Sequence, residues 1–189
     1  MDILNELISG HRDVIIRVLR LGIDCCGDDC ISRVTDWTRV KELNCHVYGL
    51  MIDPDQVNEL LRRPSLIRSL LRERINKLII YPCITPDLIT LLSRLGFTVM
   101  NYITSDECPL TQEVVIHLDA YKIINLARSG FVVYVHLYNP CIKGKNSTHD
   151  LKSIINTALE YLRRSDIKIY LILDELPTNH GEYGSPPCY

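Results

Sequence analysis

A repeated cassette, in which a helix ends at a glycine and a buried strand follows, constrains the fold of this sequence more than any other feature. Its clearest copy spans residues 117–140. Apolar residues in its first half recur at helical spacing, at Leu118, Tyr121, Ile124 and Ala127. Gly130 fits the left-handed position after a helix, where a missing Cβ avoids strain. Residues 131–138 are apolar almost throughout, which is typical of a strand in a parallel sheet covered by helices.

Strand and helix signals alternate from residue 46 onward. A capping residue followed by a proline indicates a helix start, and the chain has this pair at Asp53–Pro54 and at Thr85–Pro86. Gly96 indicates a helix end. The predicted strands are 46–52, 77–81, 97–103, 131–138 and 167–173. This order predicts parallel strands joined by right-handed helical crossovers. Two architectures fit it, a doubly wound open sheet and a barrel of repeated β/α units.

The N-terminal region decides how many strands the sheet has. Residues 1–21 are predicted to form mostly a helix that ends at Gly22, with residues 1–4 as an alternative short edge strand. If residues 1–4 and the region near Cys25 each supply a strand, the count reaches seven. A chain of 189 residues lies just below the usual barrel length of about 200 or more, which favours a TIM-barrel-like α/β fold that is small or incompletely closed. We predict a single domain over residues 1–189.

Composition limits the functional classes. A formal net charge of −2 argues against a strongly basic nucleic-acid binder, but it leaves room for a local basic patch. No apolar run approaches the roughly 18 residues of a membrane span, and the N-terminus lacks the features of a signal peptide. We therefore expect a soluble, cytoplasmic protein with no membrane partner.

The cysteine content is high for a cytoplasmic chain. The eight cysteines are Cys25, Cys26, Cys30, Cys45, Cys83, Cys108, Cys141 and Cys188. Intracellular proteins of hyperthermophiles use disulfides, and metal ligation is the other explanation. Cys25, Cys26 and Cys30 lack the paired CxxC motif that is typical of zinc sites. The sequence therefore favours buried thiols or disulfides, and we assign no metal ligand or cofactor to the protein itself.

Candidate catalytic side chains lie near the carboxyl ends of predicted strands, where parallel α/β folds bind their ligands. Asp174 and Glu175 follow the last strand, but neighbours along a strand point to opposite faces and do not readily share one ion. His117 and His136 belong to no HxH or HExxH pattern, and a histidine inside a strand is more often a core residue. We therefore assign no catalytic residue.

A basic run at residues 62–77 is the strongest candidate binding surface. The apolar residues of this run form the buried stripe of a predicted helix, so its cations point outward. These cations include Arg62, Arg63, Arg68, Arg72 and Lys77. Lys143 and Lys145, in a polar loop, form a second basic candidate. Such a face is either simply solvated or contacts the phosphates of RNA, and we predict RNA contacts for these seven residues.

Three segments of the chain carry a resemblance to a known family. Residues 118–162 read LDAYKIINLARSGFVVYVHLYNPCIKGKNSTHDLKSIINTALEYL, which places an acidic residue and a helix before a small-residue stop, an apolar strand, a polar loop and a long helix. Residues 36–63 read DWTRVKELNCHVYGLMIDPDQVNELLRR, and residues 167–186 read IKIYLILDELPTNHGEYGSP. In this order the segments resemble archaeal ribonuclease P protein component 3, the relative of the eukaryotic thirty-kilodalton subunit.

The resemblance implies a barrel-like, non-catalytic subunit of an endoribonuclease. Such a subunit binds the catalytic RNA of ribonuclease P, acts with a small partner protein, and supports removal of the 5′ leader from precursor tRNA. The RNA and its Mg²⁺ carry out the cleavage, so the resemblance implies no protein nucleophile. The protein supplies cations that lower the repulsion between phosphates.

Two other classes of function remain open. A degenerate radical SAM-type barrel enzyme is one, because Trp37, the Cys25–Cys30 cluster and the closing GEYGSP resemble parts of small activating enzymes. That class needs a CxxxCxxC motif for its cluster, and the third cysteine is replaced here by Arg33. A plain oligomerisation module is the other.

Overall fold

The computed structural model describes residues 3–42, 45–137 and 148–174. The strands are β1 (Ile15–Ile23), β2 (Gly27–Arg33), β3 (Val47–Ile52), β4 (Lys77–Ile80), β5 (Thr98–Asn101), β6 (Glu113–His117), β7 (Val132–Leu137) and β8 (Ile169–Asp174). The helices are α1 (Ile3–Gly10), α2 (Trp37–Glu42), α3 (Pro54–Leu61), α4 (Pro64–Arg72), α5 (Pro86–Leu95), α6 (Ala120–Arg128) and α7 (Thr148–Arg164).

Hydrogen bonds join the eight strands into one sheet with the order β5-β4-β3-β2-β1-β8-β7-β6. The pairings from β1 through β5 are parallel, and so is the pairing of β7 with β8. A parallel bridge also joins Tyr102, just after β5, to Val115 in β6, and the Ile103 N–H donates to the Val115 carbonyl at 2.8 Å. These pairings confirm the predicted TIM-barrel-like α/β fold over the doubly wound open sheet.

The chain divides into two compact units. The first comprises Met1–Leu19 and Ile116–Tyr189, and the second comprises Arg20–Val115. Two strands, β1 and β6, have residues in both units. The prediction of a single domain over residues 1–189 therefore stays a prediction.

The predicted start of α3 in the second unit is confirmed, and its capping residues also hold the neighbouring loop. The Asp53 carboxylate accepts a hydrogen bond from the Gln56 N–H at 2.8 Å, and the Gln56 side chain accepts one from the Asp53 N–H at 2.9 Å. This reciprocal pair is a capping box, and Pro54 occupies the first turn. Gln56 also donates to the Val34 carbonyl at 2.6 Å and accepts from the Trp37 indole at 3.1 Å through its backbone oxygen.

Two of the three predicted glycine stops are confirmed as well, whereas the third, at Gly22, is wrong because Gly22 lies within β1. Gly96 follows α5 with φ of 111°, and Gly130 follows α6 with φ of 92°. Both values lie in the region that favours glycine, because a Cβ would clash there. Thr85 precedes α5 without a side-chain capping bond, so Pro86 is the stronger start signal of that pair.

The predicted helix over residues 1–21 is wrong, since α1 ends at Gly10 and β1 begins at Ile15. The alternative strand at residues 1–4 is also wrong, because α1 begins at Ile3. The β-branched run of residues 14–16 favours a strand locally.

Contacts within the first unit, from α7, fix the turn between α1 and β1. The Arg163 guanidinium donates to the Asp13 carboxylate at 2.6 and 2.8 Å and to the Gly10 carbonyl at 2.6 Å. The hydrogen bond from Arg163 is the main cause that lowers the pKa of Asp13. Asn156 binds the His11 ring at 2.8 Å. These partners are more than 140 positions away, so tertiary contacts override the helical pattern of the N-terminal sequence.

The prediction also missed β6 and misplaced one residue of α6. Strand β6 has five residues and comes directly after an irregular loop, so it was too short to separate from the following helix. Tyr121 was expected on the inner face of α6, but its side chain is 73% exposed. Ile123 and Ile124 are the buried residues of that helix.

Within the described part, the structure contains the disulfides Cys25–Cys30, Cys26–Cys45 and Cys83–Cys108. Each of the first two has one cysteine in the short link at residues 24–26 between β1 and β2, where a helical crossover is the usual connection of parallel strands. The third joins the segments that follow β4 and β5. Cys141 and Cys188 lie outside the described residues.

Replacing Cys83 and Cys108 together by alanine should lower the free energy of unfolding by about 3 kcal/mol, because the bridge spans 25 positions and restricts the unfolded chain. Denaturant unfolding of oxidised protein measures this change. The exposed Ser93→Ala serves as the control. Equal stability of the double variant and the oxidised parent would contradict the prediction.

Candidate functional site

Three ionisable side chains of the first unit lie at the carboxyl ends of neighbouring strands. His117 is the last residue of β6, His136 is the penultimate residue of β7, and Asp174 is the last residue of β8. In the parallel register His136 pairs with Ile172, so Asp174 lies two residues further along β8 on the same face. The His136 Nε2 and Asp174 Oδ2 atoms are 3.8 Å apart.

Burial controls the protonation of both histidines. The side chains of His136 and Asp174 are only 6% and 1% exposed. Burial lowers the pKa of His136 to about 3, with the nearby His117 as a second cause. Burial also lowers the pKa of the half-buried His117, and the charge of Lys122 adds to this effect. His136 is therefore neutral at pH 7, and its 3.8 Å approach to Asp174 is a contact of a neutral ring with a carboxyl group.

The position of this cluster is the one at which barrel enzymes carry out chemistry. A neutral imidazole beside a carboxyl group can exchange a proton with a bound molecule. Within the described residues, no group of three or more histidines, cysteines and acids is arranged to hold a metal ion.

Sequence reasoning missed the relation between His136 and Asp174. It treated His136 as a core residue and considered Asp174 together with Glu175, which lies outside the described residues. The two partners are 38 positions apart (136 to 174), and only the register of β7 against β8 brings them together. The available signal was a polar residue near the carboxyl end of each apolar strand.

The predicted basic run forms an exposed surface on α3 and α4 in the second unit. Arg62 caps the end of α3 and Arg63 precedes α4, while Arg68 and Arg72 lie four positions apart on one face of α4. The helix buries its opposite face through Leu66, Ile67 and Leu70. We call the set Arg62, Arg63, Arg68 and Arg72 the arginine surface.

The arginine surface has little charge neutralisation through direct ion pairs in the described part of the chain, although Glu59 and Glu73 are exposed close by in sequence. The side chains of Arg62, Arg68 and Arg72 are exposed and make no ion pair within the described part of the chain. The pKa of Asp36 is lowered chiefly by the hydrogen bond from the Thr38 N–H, and the charge of Arg63 contributes to this shift. Asp36 is thus an acidic neighbour of Arg63.

Lys77 has a different environment from the arginine surface. Its Nζ lies 3.0 and 3.1 Å from the two carboxylate oxygens of Glu113, and 5.3 Å from the centre of the Tyr48 ring. The side chain is half-buried at the amino end of β4, where it holds neighbouring elements together. Lys143 and Lys145 lie outside the described residues, so their predicted RNA contacts stay predictions. No helix in the described ranges is both long and apolar enough to cross a membrane.

His136→Gln should make the protein less sensitive to acid. The pKa of His136 is about 3 in the folded chain and near 6.5 when unfolded, so unfolding takes up a proton below about pH 6.5. Stability from this residue is complete above that pH and falls by about 1.4 kcal/mol per unit as the pH drops towards 3. Between about pH 7 and pH 4.5, the free energy of unfolding measured with urea should fall by about 3 kcal/mol less in the variant than in the parent protein. His46→Gln, at an exposed position, is the control, and parallel curves for parent and His136→Gln would refute the prediction.

Comparisons with known proteins leave the family of this chain unassigned. The sequence matches no known protein-family model and no curated protein. The fold, the arginine surface and the buried cluster of His117, His136 and Asp174 are therefore the observations on which a function must rest.

Proposed function

We propose that the chain is a non-catalytic protein subunit of ribonuclease P that binds the catalytic RNA and supports removal of the 5′ leader from precursor tRNA. The observation that carries this proposal is the arginine surface, in which Arg62, Arg68 and Arg72 are exposed and form no ion pair within the described residues. The TIM-barrel-like fold supports it further, because the resemblance of the sequence to the ribonuclease P subunit implies a barrel.

The chemistry of arginine suits this role. A guanidinium group is always charged and presents several N–H donors that match the oxygens of a phosphate. Binding an RNA backbone releases condensed counterions, and this release favours association without requiring a net positive protein. A chain with a formal charge of −2 can therefore bind RNA through one local surface.

In this role the protein positions RNA and does not react with it. The cleavage chemistry belongs to the RNA and its Mg²⁺. The arginine surface lowers the repulsion between neighbouring phosphates, and a small partner protein completes the assembly in the cytoplasm. Lys143 and Lys145 remain predicted additional contacts, whereas Lys77 must first leave its ion pair with Glu113 to reach a phosphate.

A second candidate function, acid–base catalysis in a small barrel enzyme, is favoured by the contact between His136 and Asp174 at the carboxyl ends of β7 and β8. The radical SAM variant of an enzyme is disfavoured, because Cys25, Cys26 and Cys30 are bound in disulfides and present no thiolate for an iron cluster. We rank RNA binding first, because the arginine surface is exposed and the histidine–aspartate contact is buried.

Changing all four residues of the arginine surface to glutamine should weaken binding to ribonuclease P RNA and flatten its salt dependence. Loss of four phosphate contacts reduces the slope of log K against log salt by about 3. Fluorescence anisotropy across a salt series measures the affinity and the slope. The control carries Arg12→Gln and Arg94→Gln, which remove exposed arginines outside this surface. An unchanged slope in a folded quadruple variant would refute the role of the arginine surface.

Reconstituted leader removal separates the two candidate functions. The chain is combined with the RNA, the other protein subunits and Mg²⁺, and cleavage of precursor tRNA is followed. The RNA-binding function predicts that the quadruple arginine variant loses most stimulation, whereas His136→Gln retains it at neutral pH. The reverse result would favour catalysis by the buried histidine–aspartate contact.

A further inference from the structure

The first unit carries an exposed aromatic surface on α6 and α7. The side chains of Tyr121 on α6 and Tyr161 on α7 are 73% and 54% exposed. Both helices anchor themselves through other residues, since α6 buries Ile123 and Ile124 and α7 buries a separate stripe. That stripe contains Ile155, Leu159 and Leu162. The two tyrosines are therefore not needed to hold their helices on the sheet.

A groove of about 600 Å³ runs along the exposed side of α7 to the first residue of α6. Its lining combines an aromatic ring with amide, hydroxyl and guanidinium groups. The lining residues include Ala120, Ile154, Asn156, Thr157, Tyr161 and Arg164. Side chains of this kind can stack on a base, bind its edges and contact a phosphate within one site.

Exposed cations lie on both helices that line this groove, and Arg164 belongs to the lining itself. Lys122, Arg128 and Arg164 are exposed and form no ion pair within the described ranges. The one acid in the groove lining, Glu160, contacts the Arg163 guanidinium, so its charge is compensated. We call Tyr121, Tyr161 and these three unpaired cations the tyrosine surface.

We propose that the tyrosine surface binds single-stranded RNA, with bases stacked on the tyrosine rings and the backbone held by Lys122, Arg128 and Arg164. This inference rests on the proposed RNA-binding function and adds a second contact that lies in the other unit of the chain. Stacking tolerates any base, because every base presents an aromatic face, so the surface recognises unpaired strands by shape and charge.

Binding of a short unpaired RNA oligonucleotide, compared with a hairpin of the same length, tests this proposal on the full chain. Tyr121→Ala and Tyr161→Ala should each weaken single-strand binding by about tenfold, and the hairpin affinity should change much less. Phenylalanine at either position should restore binding, since it keeps the ring. Leucine should not restore it, because it keeps apolar contact without an aromatic face. Arg164→Gln should reduce the salt slope by about 1.

Leu91→Ala, an exposed apolar position on α5, is the matched control, and circular dichroism checks that each variant is folded. Single-strand binding that survives the double alanine variant, or that leucine restores as well as phenylalanine does, would overturn the proposal. The second result would point to an apolar protein partner. If only the variant of the arginine surface loses RNA binding, the proposal for the tyrosine surface is wrong while the proposed function stands. If the parent protein binds neither RNA, both fail.

Discussion

The burial of one face of α4 determines the side of the helix on which Arg68 and Arg72 lie. Leu66, Ile67 and Leu70 pack into the core of the second unit, and a helix fixed on that side has only one direction left for its arginines. At about 25 cal/mol per Å² of buried apolar surface, the burial of these three side chains stabilises the position of the helix by more than an exposed ion pair contributes. The outward positions of Arg68 and Arg72 are thus a consequence of apolar packing, and in the proposed RNA complex this preorganisation lowers the entropy lost on phosphate binding.

Local signals predicted those parts of the fold that depend on neighbouring residues. Asp53 with Pro54 begins a helix because the capping box is formed within four residues, and Gly96 and Gly130 end helices because only glycine takes their backbone conformation without strain. Strand β1 was mistaken for helix because its boundary depends on Arg163 and Asn156, which lie at the other end of the chain. Strand β6 was missed because five residues give too short a pattern.

The candidate sites were likewise predictable where they depend on neighbouring residues, and were missed where they depend on residues distant in sequence. The arginine surface was predictable, since its four residues are close in sequence and the buried stripe of α4 sets the direction of Arg68 and Arg72. Lys77 was grouped with them because its partner Glu113 lies 36 positions away, beyond the reach of a local pattern. The contact of His136 with Asp174 depends on strand register, and the tyrosine surface depends on which face of α6 packs inward. Tyr121 shows this directly, because the helical pattern of the sequence placed it in the core.

The central claim is that the outward arginines of α3 and α4 meet the RNA backbone. Arginine-specific chemical modification followed by mass spectrometry, with and without ribonuclease P RNA, measures this contact residue by residue. We expect RNA to protect Arg62, Arg68 and Arg72, and to leave Arg12 and Arg94 as reactive as in the free protein. Equal reactivity of all five residues in a complex that has formed would contradict the claim.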